Sequence, residues 1–188
     1  MPTRIIIALT LLSFTACPAD SKLPDTYALE CEKGDSLSCF NLGVSYATGK
    51  RDAKDMVLAA QFYEKACKGG YAKGCHYLGF LYYVGRGVES DVSHSADLHE
   101  QACKGGYSAG CSFLHQLGSL YQTGKGVGVD LARAARYHEQ ACNSGHLAGC
   151  IDLAVMYERG QGVEKDLARA ASLRQRLEDY RERTDLRE

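Results

Sequence analysis

The chain has 188 residues, a formal net charge of −1, no Trp, 20 Gly and 12 Tyr. This length suits one domain of ordinary size, and the interspersed charges exclude both a basic stripe for nucleic acid and an acidic disordered tail. We therefore expect no nucleic-acid partner, and we expect many short turns between small, regularly packed elements.

The first residues, MPTRIIIALTLLSFTAC, have the pattern of a secretory leader: one Arg, an apolar run too short to cross a bilayer, then small residues. Two processing schemes fit. The segment that ends at Cys17 resembles a bacterial lipobox, with Phe14 where that motif prefers Leu, and Cys17 would then be lipidated. Alternatively, ordinary signal peptidase cuts after Ala19. Under both schemes residues 1–19 direct the chain out of the cytoplasm, as a secreted or periplasmic protein or as an outer-membrane lipoprotein.

Once Cys17 is set aside, eight cysteines remain, and they form four pairs with the same C-x7-C spacing. These pairs are Cys31/Cys39, Cys67/Cys75, Cys103/Cys111 and Cys142/Cys150. An even cysteine count in an exported chain is typical of a disulfide framework. The constant spacing favours four local bridges. Structural zinc is the alternative, but its paired cysteines are usually only about two to four residues apart.

The segment HEQAC occurs at 99–103 and again at 138–142, and it resembles part of a zinc-protease helix. In the preceding copy the position of His99 and His138 is held by Tyr63, so HEQAC is a variant of a repeat position, and no third ligand recurs at a fixed place. We expect these three side chains to be half-buried packing residues with polar tips toward water. We predict no metal site and no cofactor.

The cysteine pattern returns after 36 residues from Cys31 to Cys67 and from Cys67 to Cys103, and after 39 residues at Cys142. Periods of this length predict a solenoid. We predict an all-α, αα-superhelical fold. Its expected units are a partial repeat at 20–38, repeats at 39–74, 75–110 and 111–149, and a C-terminal repeat with a capping helix at 150–188.

Each unit is expected to contain a helix A, a glycine loop and a helix B. Helix A reads C-x-x-L-[GA]-x-x-Y-x-x-G, which places Cys, Leu, Gly/Ala and Tyr on one helical face. The glycines of the following Gly-x-Gly-Val loop allow positive φ. An aspartate then precedes helix B, where a helix N-terminus favours negative charge; these residues are Asp55, Asp91, Asp130 and Asp166. The cysteine that ends helix B is expected to pair with the cysteine that opens the next helix A.

Helix A of the third unit reads CSFLHQLGSLYQTG (111–124) and contains three extra residues. The insertion predicts a helix longer by one turn or a bulge, with Cys111 rotated by about 60° relative to its equivalents. It creates a local pocket near His115 and Gln116, or it is a tolerated insertion without a role. The last helix lacks a cysteine and is heavily charged, as expected for a solvated cap.

These residues resemble Sel1-like repeats, whose units carry A-x-x-x-L-G-x-x-Y-x-x-G-x-G-V-x-x-D-x-x-K-A, over about residues 26–178. The C-x7-C staple in every unit is similar to that of the Helicobacter cysteine-rich protein family. The resemblance implies a right-handed superhelix that binds peptides or partner proteins on its concave face. It also implies two alternatives: a β-lactamase or penicillin-binding protein, as members of the cysteine-rich family are often classed, or an assembly factor for a respiratory or envelope complex.

The residues themselves favour the non-enzymatic scaffold over the β-lactamase. The serine β-lactamase motifs S-x-x-K, S-D-N and K-T-G do not occur in the sequence. The metallo type needs clustered His and Asp, and the six histidines are scattered along the chain. Catalytic residues therefore stay unassigned, and the enzyme function rests on family analogy.

On helical repeat proteins the concave wall is lined by equivalent positions of successive A helices. The expected binding row, two residues after each cysteine, is Asn41, Tyr77, Phe113 and Asp152. A second row nearer the helix ends is Ala47, Tyr83, Gln122 and Glu158. The expected partner is an envelope protein, a peptide or a cell-wall fragment. We expect a monomer that touches the membrane only through a lipid on Cys17.

Overall fold

The structure is a computed structural model that describes residues 23–49 and 55–185. Within these residues the chain is all-helical, as predicted, with nine α-helices and no strand. The helices are α1 (Leu23–Glu32), α2 (Ser36–Thr48), α3 (Met56–Lys68), α4 (Ala72–Val84), α5 (Val92–Lys104), α6 (Ser108–Thr123), α7 (Leu131–Asn143), α8 (Leu147–Arg159) and α9 (Leu167–Asp185). Each helix packs against the next one in chain order, which is the arrangement of a solenoid.

The predicted order of helix A, glycine loop and helix B is confirmed within the described residues. The A helices are α2, α4, α6 and α8, and the B helices are α3, α5, α7 and α9. The four predicted aspartates cap the B helices, because each carboxylate accepts a backbone N–H of the first turn at 2.9 Å. The A helices α4, α6 and α8 end at left-handed glycines, with φ of 66° at Gly85, 74° at Gly124 and 68° at Gly160.

Four disulfides join the cysteine pairs that the sequence predicts. They are Cys31–Cys39, Cys67–Cys75, Cys103–Cys111 and Cys142–Cys150, and the paired Cα atoms are 4.5–4.6 Å apart. Each bridge links the end of one helix to the first turn of the following A helix. The bridges therefore fix the turn between successive units and leave the glycine loops inside each unit unbridged.

The second cysteine of each pair does not open its helix, which corrects the sequence expectation. The helices α2 and α4 begin at Ser36 and Ala72, three residues before Cys39 and Cys75. Both cysteines are also buried, at 3% and 4% exposed, so they are core residues and not part of an accessible surface site. At Cys75 the first turn of α4 packs closely on α3, since a Cβ added at Gly74 would lie only 2.7 Å from the side chain of Ala66.

The three-residue insertion lengthens α6 to 16 residues, whereas α2, α4 and α8 have 13. The predicted extra turn is confirmed. Cys111 keeps its bridge to Cys103 with a Cα–Cα distance of 4.6 Å, so the start of α6 matches its equivalents. The additional turn therefore lies after Cys111, and Leu114 takes a fully buried position there.

The last helix, α9, packs on α8 and exposes most of its side chains, as expected for a cap. Ala170 is the buried residue of its first turns, and Leu173 is partly buried against the core. Among the described residues, the structure contains no helix with the length and apolar character needed to span a membrane. The leader and Cys17 lie outside the described residues.

Candidate functional site

The central ring of the B helices α3, α5 and α7 is buried, which corrects the expectation of a half-buried side chain whose polar tip faces water. Tyr63 is 2% exposed, and His99 and His138 are fully buried. The reason is the small residue on the facing A helix. A Cβ added at Gly43, Gly79 or Gly118 would lie 2.7–2.8 Å from the respective ring. Glycine therefore lets the ring sit directly on the neighbouring backbone, where water cannot reach it.

The two buried histidines differ in their hydrogen bonding. His99 donates from Nδ1 to the backbone oxygen of Ser95 at 2.7 Å. Neither ring nitrogen of His138 has a hydrogen-bond partner among the described residues. Burial lowers the pKa of both imidazoles to about 4, so both are neutral near pH 7. His138 therefore has an unsatisfied donor and an unsatisfied acceptor in the core. Each buried, unsatisfied polar group costs about 1–3 kcal/mol of stability.

The buried ring is the centre of a cluster that occurs three times among the described residues, around α3, α5 and α7. We call this cluster a junction, and it combines four equivalent positions. They are a residue in helix A, the central ring of helix B, the residue that precedes the next helix A, and the residue two after the next unit's cysteine. The three junctions are Phe40/Tyr63/Tyr71/Tyr77, His76/His99/Tyr107/Phe113 and His115/His138/His146/Asp152.

The chemistry of the junctions changes along the chain. The first consists of four aromatic rings, and its neighbouring rings have centroids 5.2–5.6 Å apart. The second is mixed: His99 stacks on Phe113 at 4.1 Å, and His76 lies 5.0 Å from His99. In the third junction all four positions are His or Asp. The aromatic packing of the first junction is thus replaced by side chains that can bind protons or metal ions.

The third junction places its polar atoms close together. His115 donates from Nε2 to the Oδ2 of Asp152 at 2.8 Å. The ligating atoms of His115, His138 and Asp152 all lie within 4.8 Å of one another. The His146 ring is 5.0 Å from the His115 ring, and burial together with His115 lowers the His146 pKa. Among the described residues, His115, His138 and Asp152 are the group that could hold a metal ion.

This group was not predicted from the sequence, because its members are far apart in the chain and the histidines look scattered. A signal was nevertheless present. Aligning the A helices on their final glycines places His115 with Phe40 and His76, and the insertion is what produces that register. Of the two residues named at the insertion, His115 is partly buried in the third junction and Gln116 is exposed.

The expected concave-face residues are not equivalent in their exposure. Asn41 and Asp152 are partly buried, and Tyr77 is 37% exposed. Phe113 corrects the expectation, because it is only 9% exposed and packs on His99, so a partner cannot use it as an open contact. The second row is half-buried throughout; its members are Ala47, Tyr83, Gln122 and Glu158.

One A helix carries an exposed apolar stripe. Tyr77, Phe80 and Val84 of α4 are 37%, 43% and 39% exposed. Their spacing of three and four residues places them on one helical face. The rows of equivalent positions across units include Tyr77 but not Phe80 or Val84, because the stripe runs along one helix and not from unit to unit. We call these three residues the α4 stripe.

The structure shows one serine close to a histidine in the core, but neither is accessible. The Ser95 Oγ lies 3.3 Å from the His99 Nδ1. Both residues are fully buried, four positions apart on α5. A substrate acyl group cannot reach this hydroxyl, so the pair is a packing contact rather than an activated nucleophile.

Comparisons with known proteins confirm the predicted resemblance to Sel1-like repeats. The family model described as Sel1 repeat matches residues 36–71, 72–107, 112–146 and 147–173. These matched segments together make up more than half of the chain. No curated protein matches the sequence.

Solved structures of Sel1 repeat proteins are similar to the chain. A Sel1 repeat protein from Oxalobacter formigenes is 28% identical, with a TM-score of 0.58, over 80% of this chain and 59% of that one. The antigen c5321 of uropathogenic Escherichia coli, which displays an SLR fold, is 29% identical, with a TM-score of 0.64, over 80% of this chain and 32% of that one. Helicobacter pylori cysteine-rich protein B is 26% identical, with a TM-score of 0.48, over 71% of this chain and 96% of that one.

The chain thus spans about three fifths of the length of the Oxalobacter formigenes protein and about one third of the length of c5321. The similarity agrees with the predicted right-handed αα-superhelix built from short helical repeats.

Proposed function

Because the chain belongs to the Sel1 repeat family, we propose that it is an exported scaffold that binds a protein or peptide segment in the bacterial cell envelope. Proteins built from these repeats generally act by binding other proteins. A rigid wall of successive A helices suits that role, because it offers a preformed surface and loses little conformational entropy on binding.

The observation that carries the proposal is the α4 stripe. Tyr77, Phe80 and Val84 keep more than a third of their surface in water although neighbouring residues of α4 are buried. Exposed aromatic and aliphatic side chains grouped on one helix are typical of binding anchors. The stripe fits an extended or helical segment with apolar side chains, which would bury these three residues.

Four disulfides indicate a protein that folds in an oxidising compartment outside the cytoplasm. We extend this to secretion or periplasmic location, with residues 1–19 as the leader and Cys17 either removed or lipidated. β-Lactam hydrolysis and complex assembly stay predictions of the family resemblance, since no observation in the described residues favours either one.

The test uses the oxidised protein and a phage-displayed library of random peptides. We expect enriched peptides to carry apolar side chains and to bind F80D at least about tenfold more weakly than wild type, because a carboxylate in the stripe must be desolvated on binding. Affinities of synthetic copies of the enriched peptides would be measured by isothermal titration calorimetry.

The matched control is V129D. Val129 is 63% exposed, lies in the loop before α7 and is not part of the α4 stripe. Peptides that bind F80D as tightly as wild type, or that lose affinity equally for F80D and V129D, would contradict a binding surface on the stripe. A library that yields no binder at all would argue against the scaffold function itself.

A further inference from the structure

The third junction differs from the other two in one respect that packing does not explain. His115, His138, His146 and Asp152 occupy positions that hold four aromatic rings in the first junction. Aromatic side chains fill such a buried position without unsatisfied polar atoms. A set of three imidazoles and one carboxylate introduces polar atoms that need partners, so the replacement calls for a ligand that uses them.

His138 is the strongest pointer to that ligand. Its side chain is fully buried, and both ring nitrogens lack a partner among the described residues. The ring is held in place by Gly118, since a Cβ there would lie 2.8 Å from Cε1 and 3.1 Å from Nε2. A fixed, neutral imidazole with a free lone pair is the form in which histidine binds metals.

Two further ligands face this imidazole from the neighbouring helices. His115 comes from α6 and Asp152 from α8, and their ligating atoms lie with that of His138 inside a 4.8 Å span. The ligating atoms of a bound ion, at about 2.0–2.2 Å from the metal, are closer together than this, so the side chains must contract slightly. His115 and Asp152 can do so, because their side chains are 19% and 38% exposed and are not locked in the core.

We propose that His115, His138 and Asp152 form a binding site for a divalent transition metal ion of the zinc class. Two imidazoles and one carboxylate suit Zn²⁺ and the neighbouring first-row ions. The exposed side of Asp152 gives the ion a path from solvent. A water molecule or His146, whose ring lies 5.0 Å from the His115 ring, completes the coordination.

The site would act as a staple between units. Its three ligands come from α6, α7 and α8, so a bound ion ties helix A of the third unit to its helix B and to the next helix A. The Cys142–Cys150 bridge joins α7 to α8 nearby. The disulfide and the bound ion would thus stabilise the same junction. The disulfide joins α7 to α8, and the ion would also join α6 to both.

Among the described junctions, only the third has the ligands for a metal ion, and comparison with the second junction shows why. It retains two imidazoles, His76 and His99, but the remaining positions are Tyr107 and Phe113. The His99 Nδ1 is already bonded to the Ser95 backbone oxygen. The second junction therefore offers no carboxylate and a partly satisfied imidazole, and it serves as an internal comparison.

The experiment uses the oxidised protein without a histidine tag, made metal-free with a chelator, and titrates it with Zn²⁺ by calorimetry and with Co²⁺ by visible absorption. We expect one ion per chain and the d–d bands of four-coordinate Co²⁺. The variants D152N and H115Q are chosen because both side chains are partly exposed, so we expect these variants to fold. Each should bind Zn²⁺ at least about tenfold more weakly.

Thermal unfolding supplies a second measurement. Saturating Zn²⁺ should raise the Tm of the wild type by roughly 2–4 °C or more and leave that of D152N unchanged. The control is H94Q, since His94 is exposed on α5 and lies outside all three junctions. The proposal is overturned if the wild type does not bind Zn²⁺, or if D152N and H115Q bind it as well as H94Q.

Discussion

At the scale of single residues, the protein depends on the pairing of a ring in helix B with a glycine in helix A. Gly43, Gly79 and Gly118 each face such a ring at a distance that a Cβ would not allow. The ring is Tyr in one unit and His in two others, so the position tolerates different chemistry while it keeps the same packing. A buried His in this position makes stability sensitive to acid, because protonation places a charge in the core.

His99 should therefore destabilise the fold at low pH. Its pKa is near 6.5 when unfolded and is lowered by burial to about 4 in the folded protein, with a smaller opposing effect from the Ser95 backbone oxygen and a smaller lowering effect from His76. Between these values the unfolded state binds more protons. Stability is full above about pH 6.5 and falls as the pH approaches 4, by about 2 kcal/mol between pH 7.5 and 5 from this residue.

The variant H99Y tests this prediction, because Tyr63 holds the equivalent position in the preceding unit. The free energy of unfolding would be measured with urea at about pH 7.5 and at about pH 5. The difference between the two pH values should be about 2 kcal/mol smaller in H99Y than in the wild type. The variant H94Q changes an exposed histidine and should keep the wild-type difference. An H99Y protein with the wild-type pH dependence would show that His99 is not the acid-sensitive group.

At the scale of elements, the glycine loops position one unit on the previous one. The second loop glycine has positive φ in three units: 78° at Gly87, 76° at Gly126 and 70° at Gly162. At Gly162 a Cβ would lie 2.1 Å from the backbone oxygen of Leu131, at the start of α7. At Gly126 it would meet nothing within 4 Å. The same loop position is therefore constrained by φ alone in one unit and by φ and packing in another.

This difference predicts unequal costs for the same substitution. G126A should destabilise the protein by about 1–2 kcal/mol, the cost of a left-handed alanine. G162A should cost about 1–3 kcal/mol more, because the loop must move away from α7. Chemical denaturation of the two variants gives the comparison directly. Equal losses would show that the loop accommodates the added Cβ at Gly162 without a cost from packing against α7.

At the scale of the whole molecule, each helix packs mainly on its chain neighbours, and the disulfides reinforce those local contacts. In such a linear arrangement stability is roughly a sum of unit and interface terms. A bridge across so short a loop contributes about 2.5 kcal/mol in the chain-entropy description. Four bridges are then comparable with the net stability of an ordinary domain, so folding should depend on oxidation.

Removing an inner disulfide should therefore change the global free energy of unfolding more than removing an outer one. C103A/C111A interrupts the middle of the solenoid and should lower the global free energy of unfolding by about 2.5 kcal/mol. C31A/C39A releases α1, which packs on α2, and should leave the unfolding of the remaining units nearly unchanged.

Amide hydrogen exchange can distinguish the two variants. In C31A/C39A the loss of protection should be confined to α1. The description as a sum of local contacts would fail if both variants lost protection equally throughout the chain.

The repeat architecture and the disulfide pairing could both be predicted from local patterns in the sequence. Cysteine spacing, the apolar face of helix A, the loop glycines and the capping aspartates are local features, and each acts within a few residues of its position. That is why the helix order, the four disulfides and the longer α6 could be predicted. The burial of Tyr63, His99 and His138 could not, because it depends on how closely a facing glycine lets two helices approach.

Which polar residues contact one another depends on how the helices pack. His115, His138 and Asp152 lie on three helices, and their proximity depends on the register that the extra turn of α6 gives to His115. The same packing buries Phe113, which the sequence placed on an open face, and leaves the α4 stripe exposed. Periodicity tells which face of a helix is apolar, but the contacts between faces are set by the distances and rotations of packed helices, which no single segment specifies.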